Sequence, residues 1–284
     1  MRYRSRIVFH TNDIRLAESV LAPFGFEPNR KPGVDIHSAT LFVDDSRYND
    51  LRSLLTSKGI EYAEDQEMFF ENNELEEAEF FRMAPAGYWG YPQPEEDFDL
   101  YRKESYDVST KCGICRNGSI QNRPLLVKGK PRFGRNDILA IHWEYEFIIT
   151  DHLKSLIEKA NLTGTDFWPI LDHKKRTPVQ GYCQLHIANI LPPMSTSTQF
   201  ELVTLERLPK SPCSCGKTGR NLAIHQMVYR REDLLDARDF NKTNEWLGGG
   251  YGTTQWKVVS AKIYQLFKKH NIRSVTFQPV VIEG

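Results

Sequence analysis

The strongest constraint on this chain is a correspondence of its sequence with itself. Displaced by 110 residues, the stretch 148–170 lies over 258–280 without a gap. Leu156/Leu266, Lys159/Lys269, Asn161/Asn271, Phe167/Phe277 and Pro169/Pro279 are identical, while Ile148/Val258, Ile149/Val259, Thr150/Ser260 and Leu153/Ile263 are chemically similar. Each stretch reads as a strand, a hydroxyl N-cap and an amphipathic helix. Asn161 or Asn271 stops the helix, and a returning strand ends in Phe-x-Pro. The parsimonious reading is a duplicated α/β module. If both copies fold alike, Phe167 and Phe277 are expected to be buried against their own helices, near Leu156 and Leu266.

The cysteines follow the same rhythm. There are five, an odd number that makes a poor disulfide framework. Four form two tight pairs, Cys112-Gly-Ile-Cys115 and Cys213-Ser-Cys215-Gly216, the second one residue shorter than the first. Thiolates on a tight turn can converge on a tetrahedral ion at about 2.3 Å. One pair supplies two ligands, too few for a structural site, whereas two related copies supply four. The leading expectation is therefore one structural Zn²⁺ held by Cys112, Cys115, Cys213 and Cys215. It would clip the copies together and close a loop of roughly 100 residues. Two alternatives stay open: a site that recruits Cys183 or a histidine, and separate thiols with no metal. Cys183, in an alternating stretch, reads as a small core filler.

The remainder sets the organisation. Arg6–His10 reads as a strand, Thr11–Asp13 as a cap, and Ile14, Leu16, Ala17, Val20 and Leu21 as a helical stripe. Ala39–Val43 reads as a second strand. A second helix opens at Asp44–Ser46, carries Tyr48, Leu51, Leu54 and Leu55 on one face and closes at Gly59. Ile60–Tyr62 and Glu67–Phe70 supply the remaining strand or strands. This order predicts a split-βαβ, ferredoxin-like layer over 1–72. Residues 73–105 read as an acidic and aromatic connecting segment: Glu71–Glu79 as a solvated helix face with Leu75, Ala78 and Phe81 turned inward, then a turn-rich stretch with Tyr88, Trp89 and Tyr91, and Glu95–Asp99. The two zinc-knuckle repeats would occupy 106–200 and 201–284. The expected class is α+β.

With 37 basic and 37 acidic side chains the formal net charge is zero. That gives no case for a nucleic-acid or membrane surface. No apolar run approaches the ~20 residues of a membrane span, and Ile7–Phe9 is too short for a signal-peptide core, so a cytoplasmic location is expected. None of the phosphate-loop, dinucleotide, zinc-protease or serine-elbow motifs occurs. Gly248–Gly252 reads as a turn, His142 and His186 as core or edge residues, and His173–Arg176 as a solvated loop. No spacing supplies a catalytic set.

The cysteine pairs together with the block Ile148–Ile170 resemble the double-CxxCG and related immunity-type proteins of bacterial polymorphic toxin systems. Glu74–Phe81, Gly90–Pro94 and Cys112–Cys115 are also similar to bacterial zinc-ribbon-like proteins. The resemblance spans about residues 74–284. It implies a non-enzymatic interaction protein, an immunity protein that binds and neutralises a toxin. The alternatives are a nucleic-acid-associated zinc-ribbon protein, for which Lys174–Arg176 would serve, and an enzyme with a site at the repeat interface.

Overall fold

A computed structural model describes residues 1–92, 94, 98–142, 145–202, 213–222, 225–249 and 252–284. The chain is α+β and divides into two compact units, Met1–Glu77 and Ala78–Gly284.

In the first unit, β1 (Arg2–His10), α1 (Ile14–Leu21), β2 (Ile36–Phe42), α2 (Ser46–Ser57) and β3 (Tyr62–Phe69) precede α3 (Asn72–Glu77). Asp13 caps α1 by accepting from the N–H groups of Arg15 and Leu16, and Asp45 caps α2 from Arg47. The buried faces are Ala17, Val20 and Leu21 on α1 and Tyr48, Leu51 and Leu55 on α2. They cover Ile7, Phe9, Ala39 and Leu41 of the sheet. The sheet has three strands in the order β2-β1-β3, both outer strands antiparallel to β1. A ferredoxin-like layer has four. The difference lies at 60–70, where no glycine or proline interrupts Ala63–Gln66 and two expected fragments run together as one strand. Arg4 across from Glu67, at 2.6 Å, pins its register.

The second unit begins with β4 (Phe80–Pro85), β5 (Tyr88–Gly90), α4 (Phe98–Ser105), β6 (Tyr106–Asp107), β7 (Ile120–Gln121) and β8 (Leu126–Val127). Next come β9 (Ile138–Ile141), β10 (Phe147–Thr150), α5 (Asp151–Lys159), β11 (Thr165–Asp172) and β12 (Pro178–Ile187). The chain closes with β13 (Glu201–Leu202), β14 (Arg220–Asn221), β15 (Val228–Arg230), β16 (Phe240–Lys242), β17 (Lys257–Ser260), α6 (Ala261–Lys269), β18 (Val275–Pro279) and β19 (Val281–Glu283). The acidic helix stops at Glu77, and Phe80 and Phe81 belong to β4. Much of the expected connecting segment is therefore sheet: Phe81 is a buried strand residue whose partners lie far along the chain, while Tyr88 and Tyr91 stay exposed. Glu95, Glu96 and Asp97 lie outside the described residues.

Two sheets dominate. One has the order β5-β9-β10-β12-β11-β8, the other β16-β17-β4-β18. Strands β9-β10-β12-β11 match β16-β17-β4-β18 in register. Ile149 pairs with Cys183, which pairs with Pro169; Val259 pairs with Phe81, which pairs with Pro279. Phe147-Leu185-Phe167 and Lys257-Met83-Phe277 match in the same way. Helices α5 and α6 bury Leu153 and Ile157, and Ile263 and Phe267, at the same offset. Asn161 and Asn271 both take left-handed backbone, at φ 50° and 52°, as do Gly164 and Ser274 at 90° and 73°. The sheets differ in connectivity. The strand between β10 and β11 is the hairpin partner β12, whereas the strand between β17 and β18 is β4, from the start of the unit. The second sheet is thus not contained in 201–284. Phe167 and Phe277 are each half-buried, less than expected. Phe277 meets Tyr264, Phe267 and Phe81 edge-on, while Phe167 faces Lys154.

The sheets meet at a polar joint. Asp239 accepts from the N–H and hydroxyl of Thr163 at 2.9 and 3.0 Å, and from the Ser260 hydroxyl at 2.8 Å. A Cβ on Gly164 would fall 2.2 Å from the Phe240 carbonyl oxygen, so only glycine allows this approach.

Candidate metal centre

Each cysteine pair sits in the turn between two short antiparallel strands. Tyr106–Asp107 pairs with Ile120–Gln121 around the first, and Glu201–Leu202 with Arg220–Asn221 around the second. In both, the returning strand starts five residues beyond the second cysteine. The first turn is closed by Arg116 N–H donating to the Cys112 carbonyl and Cys112 N–H donating to that of Asn117, both at 2.9 Å. The second is closed by Gly216 N–H donating to the Cys213 carbonyl at 3.0 Å. Arg116 and Gly216, each following the second cysteine of its pair, both have positive φ, 60° and 73°. The same turn is built once with the residue that suits it and once without.

The turns face one another. The Sγ atoms of Cys112, Cys115, Cys213 and Cys215 all lie within 4.8 Å of each other. Cys112 and Cys213 approach to 3.8 Å, Cys115 and Cys215 to 3.5 Å. Four bonds of about 2.3 Å to a tetrahedral ion would place sulfurs about 3.8 Å apart. Further contacts hold the turns in place. Ile114 N–H and Lys217 N–H reach Cys112 Sγ and Cys215 Sγ at 3.4 Å. Lys217 Nζ donates to the Thr110 carbonyl, and the Thr253 hydroxyl to that of Lys217. Gly118, at φ 100°, leaves room for the Lys217 side chain, which a Cβ there would meet at 2.5 Å.

Electrostatics divide the four thiols. Backbone N–H groups of Cys115 and Ile114 hold Cys112 down to about 6, which favours its thiolate. Burial pushes Cys115 up, and Cys215 up to about 12. Ionising all four requires a cation among them. The cluster can therefore hold one metal ion with a complete set of sulfur ligands, Cys115 and Cys213 from buried positions.

Cys183 stands apart, on β12 between Ile149 and Pro169, where burial pushes its thiol up to about 11. No histidine joins the cluster among the described residues. His142 lies between Tyr88 and Tyr91 with ring centroids at 4.7 and 4.6 Å, and His186 stacks on Trp168 at 3.8 Å. Gly248 packs beside the second knuckle, donating to the Arg220 carbonyl at 2.7 Å, while Gly250 and Tyr251 lie outside the described residues. Residues 203–212 also lie outside them. Sequence reasoning missed two groups: the joint at Asp239 and a cluster of lysines around Glu146. The paired pattern of an aspartate just before β9 and β16, Asp137 and Asp239, and a hydroxyl ending β10 and β17, Thr150 and Ser260, was the available signal for the joint. Among the described residues no helix is long and apolar enough to cross a membrane. In comparisons with known proteins, no family model and no curated protein matches the chain.

Proposed function

We propose that Cys112, Cys115, Cys213 and Cys215 bind a single structural Zn²⁺, and that the chain is a non-enzymatic interaction protein that neutralises a toxin. The observation that carries the first part is the sulfur spacing, which fits a tetrahedral ion with no position left for water or substrate. The two sheets are read as copies of one ancestral module, supported by the 110-residue offset and the matched registers. The immunity role rests on the resemblance of the sequence. An exposed aromatic cluster gives it a candidate surface: Tyr88 and Tyr91, 41% and 60% exposed, flank His142. Tyrosines of this kind often anchor protein interfaces, offering large area at small conformational cost.

Elemental analysis of the purified protein tests the metal, with about one zinc per chain expected. Co-expression with a toxin encoded beside the gene tests the partner. Protection from the toxin is expected, and its loss in a folded Tyr88→Ala/Tyr91→Ala variant. Absence of protection overturns the immunity reading and leaves the zinc site standing. Tight duplex binding at physiological salt would favour a nucleic-acid role instead.

A further inference from the structure

Between the first knuckle and the two sheets lies a cavity of about 400 Å³. Its wall contains three lysines, Lys217, Lys242 and Lys257, against one carboxylate, Glu146. Lys257 and Glu146 are nearly fully buried and pair at 3.4 Å. That pair neutralises itself, leaving Lys217 and Lys242 in excess. Lys217 is anchored on the Thr110 carbonyl. Lys242 has no ion-pair partner among the described residues, although burial draws its ammonium below its usual range. Three further polar atoms in the same wall are buried without a hydrogen-bond partner: Ser119 Oγ, His186 Nδ1 and Glu146 Oε2. Buried polar atoms left without partners are costly, and each gains stability once a ligand supplies the missing hydrogen bond.

The unmet groups share one complement. Surplus ammonium, a hydroxyl and an imidazole nitrogen that can carry a proton suit an anion with several acceptor oxygens; a carboxylate oxygen without a donor suits one acidic proton. We propose that this cavity is a binding site for a phosphate group, as the free ion or as a small monoester, with Lys242 as its principal charge partner. Lysine suits the role as a compact point charge with three rotatable donors, which can meet a phosphate oxygen from any direction. Trp246, also in the wall, supplies apolar aromatic surface for the organic part of a monoester. The site is separate from the cysteine cluster and does not depend on the immunity reading.

Calorimetric titration of the zinc-loaded full chain, at constant ionic strength, tests this with two probes: inorganic phosphate and phenyl phosphate. Saturable binding of one equivalent of either is expected, and tighter binding of phenyl phosphate would identify a monoester as the ligand. Lys242→Met should weaken binding by about tenfold or more, the loss typical of a charged hydrogen bond. Lys242→Arg should keep most of it, and Lys174→Met, on a remote exposed turn, all of it. Lys242 is half-buried and makes no ion pair among the described residues, so its replacement is expected to leave the fold intact, and an unchanged melting temperature without phosphate checks this. Absence of saturation at millimolar concentration of both probes, or equal affinity in Lys242→Met, overturns the proposal.

Discussion

Removing the metal should cost the second unit a cross-link, and the structure sets its size. The sulfurs that meet belong to residues 100 and 101 positions apart. Closing a loop of that length removes about 4–5 kcal/mol of unfolded-chain entropy, on the same reasoning that applies to a disulfide. In a unit of about 200 residues, each kcal/mol moves the melting temperature by roughly 2–4 °C. Cys213→Ser should therefore abolish the metal and lower melting by about 10–20 °C. Cys213 is only 4% exposed, and a serine hydroxyl in its place is a far poorer ligand than a thiolate. Calorimetry of four samples checks this: wild type and variant, each with and without chelator. Chelation should bring the wild type down to the variant and leave the variant unmoved. A metal-free wild type that melts with the loaded protein would refute the clip, as would a variant retaining one metal per chain.

Glu146→Gln should destabilise by about 3–5 kcal/mol in denaturant titration, because Lys257 would stay buried without its counter-charge. The same pair gives an acid dependence. Burial works to raise the Glu146 pKa, but Lys257, Lys242 and His186 outweigh it and hold it below the ordinary 4.5. Its contribution is then complete above about pH 4.5 and lost as pH falls below, which unfolding curves across pH 3–6 would register. Phe277→Ala should cost about 2–3 kcal/mol and Phe167→Ala about 1, since the first loses three aromatic neighbours and the second a lysine contact. Equal losses by chemical denaturation would contradict that ranking. Arg116→Gly should raise stability by about 1 kcal/mol in the metal-loaded protein by relieving left-handed strain, and a lower melting temperature would count against it.

What the sequence disclosed depended on how local the determining contacts are. The helices of the first unit were legible because their signals are adjacent: Asp13 and Asp45 cap them, and Gly59, at φ 67°, ends the second. The cysteine cluster was legible for another reason. Each pair carries its own turn, and four sulfurs in two such turns have few uses besides a metal. Strand β4 was not legible. Phe80-Phe81-Arg82-Met83 follows a run of glutamates and continues its pattern smoothly, and nothing nearby shows that its partners are Val259 and Pro279. Pairing across nearly 200 residues leaves no imprint on local composition, so Phe81 reads from sequence as the inward face of the acidic helix although it lies in an interior strand.

The same distinction explains the lysine-lined cavity. Glu146 comes from the turn between β9 and β10, Lys242 and Lys257 from β16 and β17, His186 from β12 and Ser119 from beside the first knuckle. Each is unremarkable where it stands: Lys257 opens a strand, and His186 alternates with apolar neighbours. The matched registers make one of them conspicuous. Lys257 occupies the place that Phe147 holds in the other sheet, the only charged residue in either three-strand row Phe147-Leu185-Phe167 and Lys257-Met83-Phe277. A phenylalanine there fills a core; a lysine there must have Glu146 opposite it, at 3.4 Å. Two sheets of matched register thus differ at a buried position by a charge, and that charge borders the cavity where Lys242 makes no ion pair among the described residues. If the sheets descend from one module, the departure from its apolar pattern marks where the second acquired a role beyond packing. Replacing both members, Glu146→Leu with Lys257→Phe, would separate the two demands. Restoring apolar packing should hold stability within about 1–2 kcal/mol of wild type, since paired buried charges add little over a well-packed core. Phosphate binding should weaken in the same variant if the cavity needs its polar wall. Retained affinity would mean that Lys242 alone accounts for the site and that the buried pair serves only the fold.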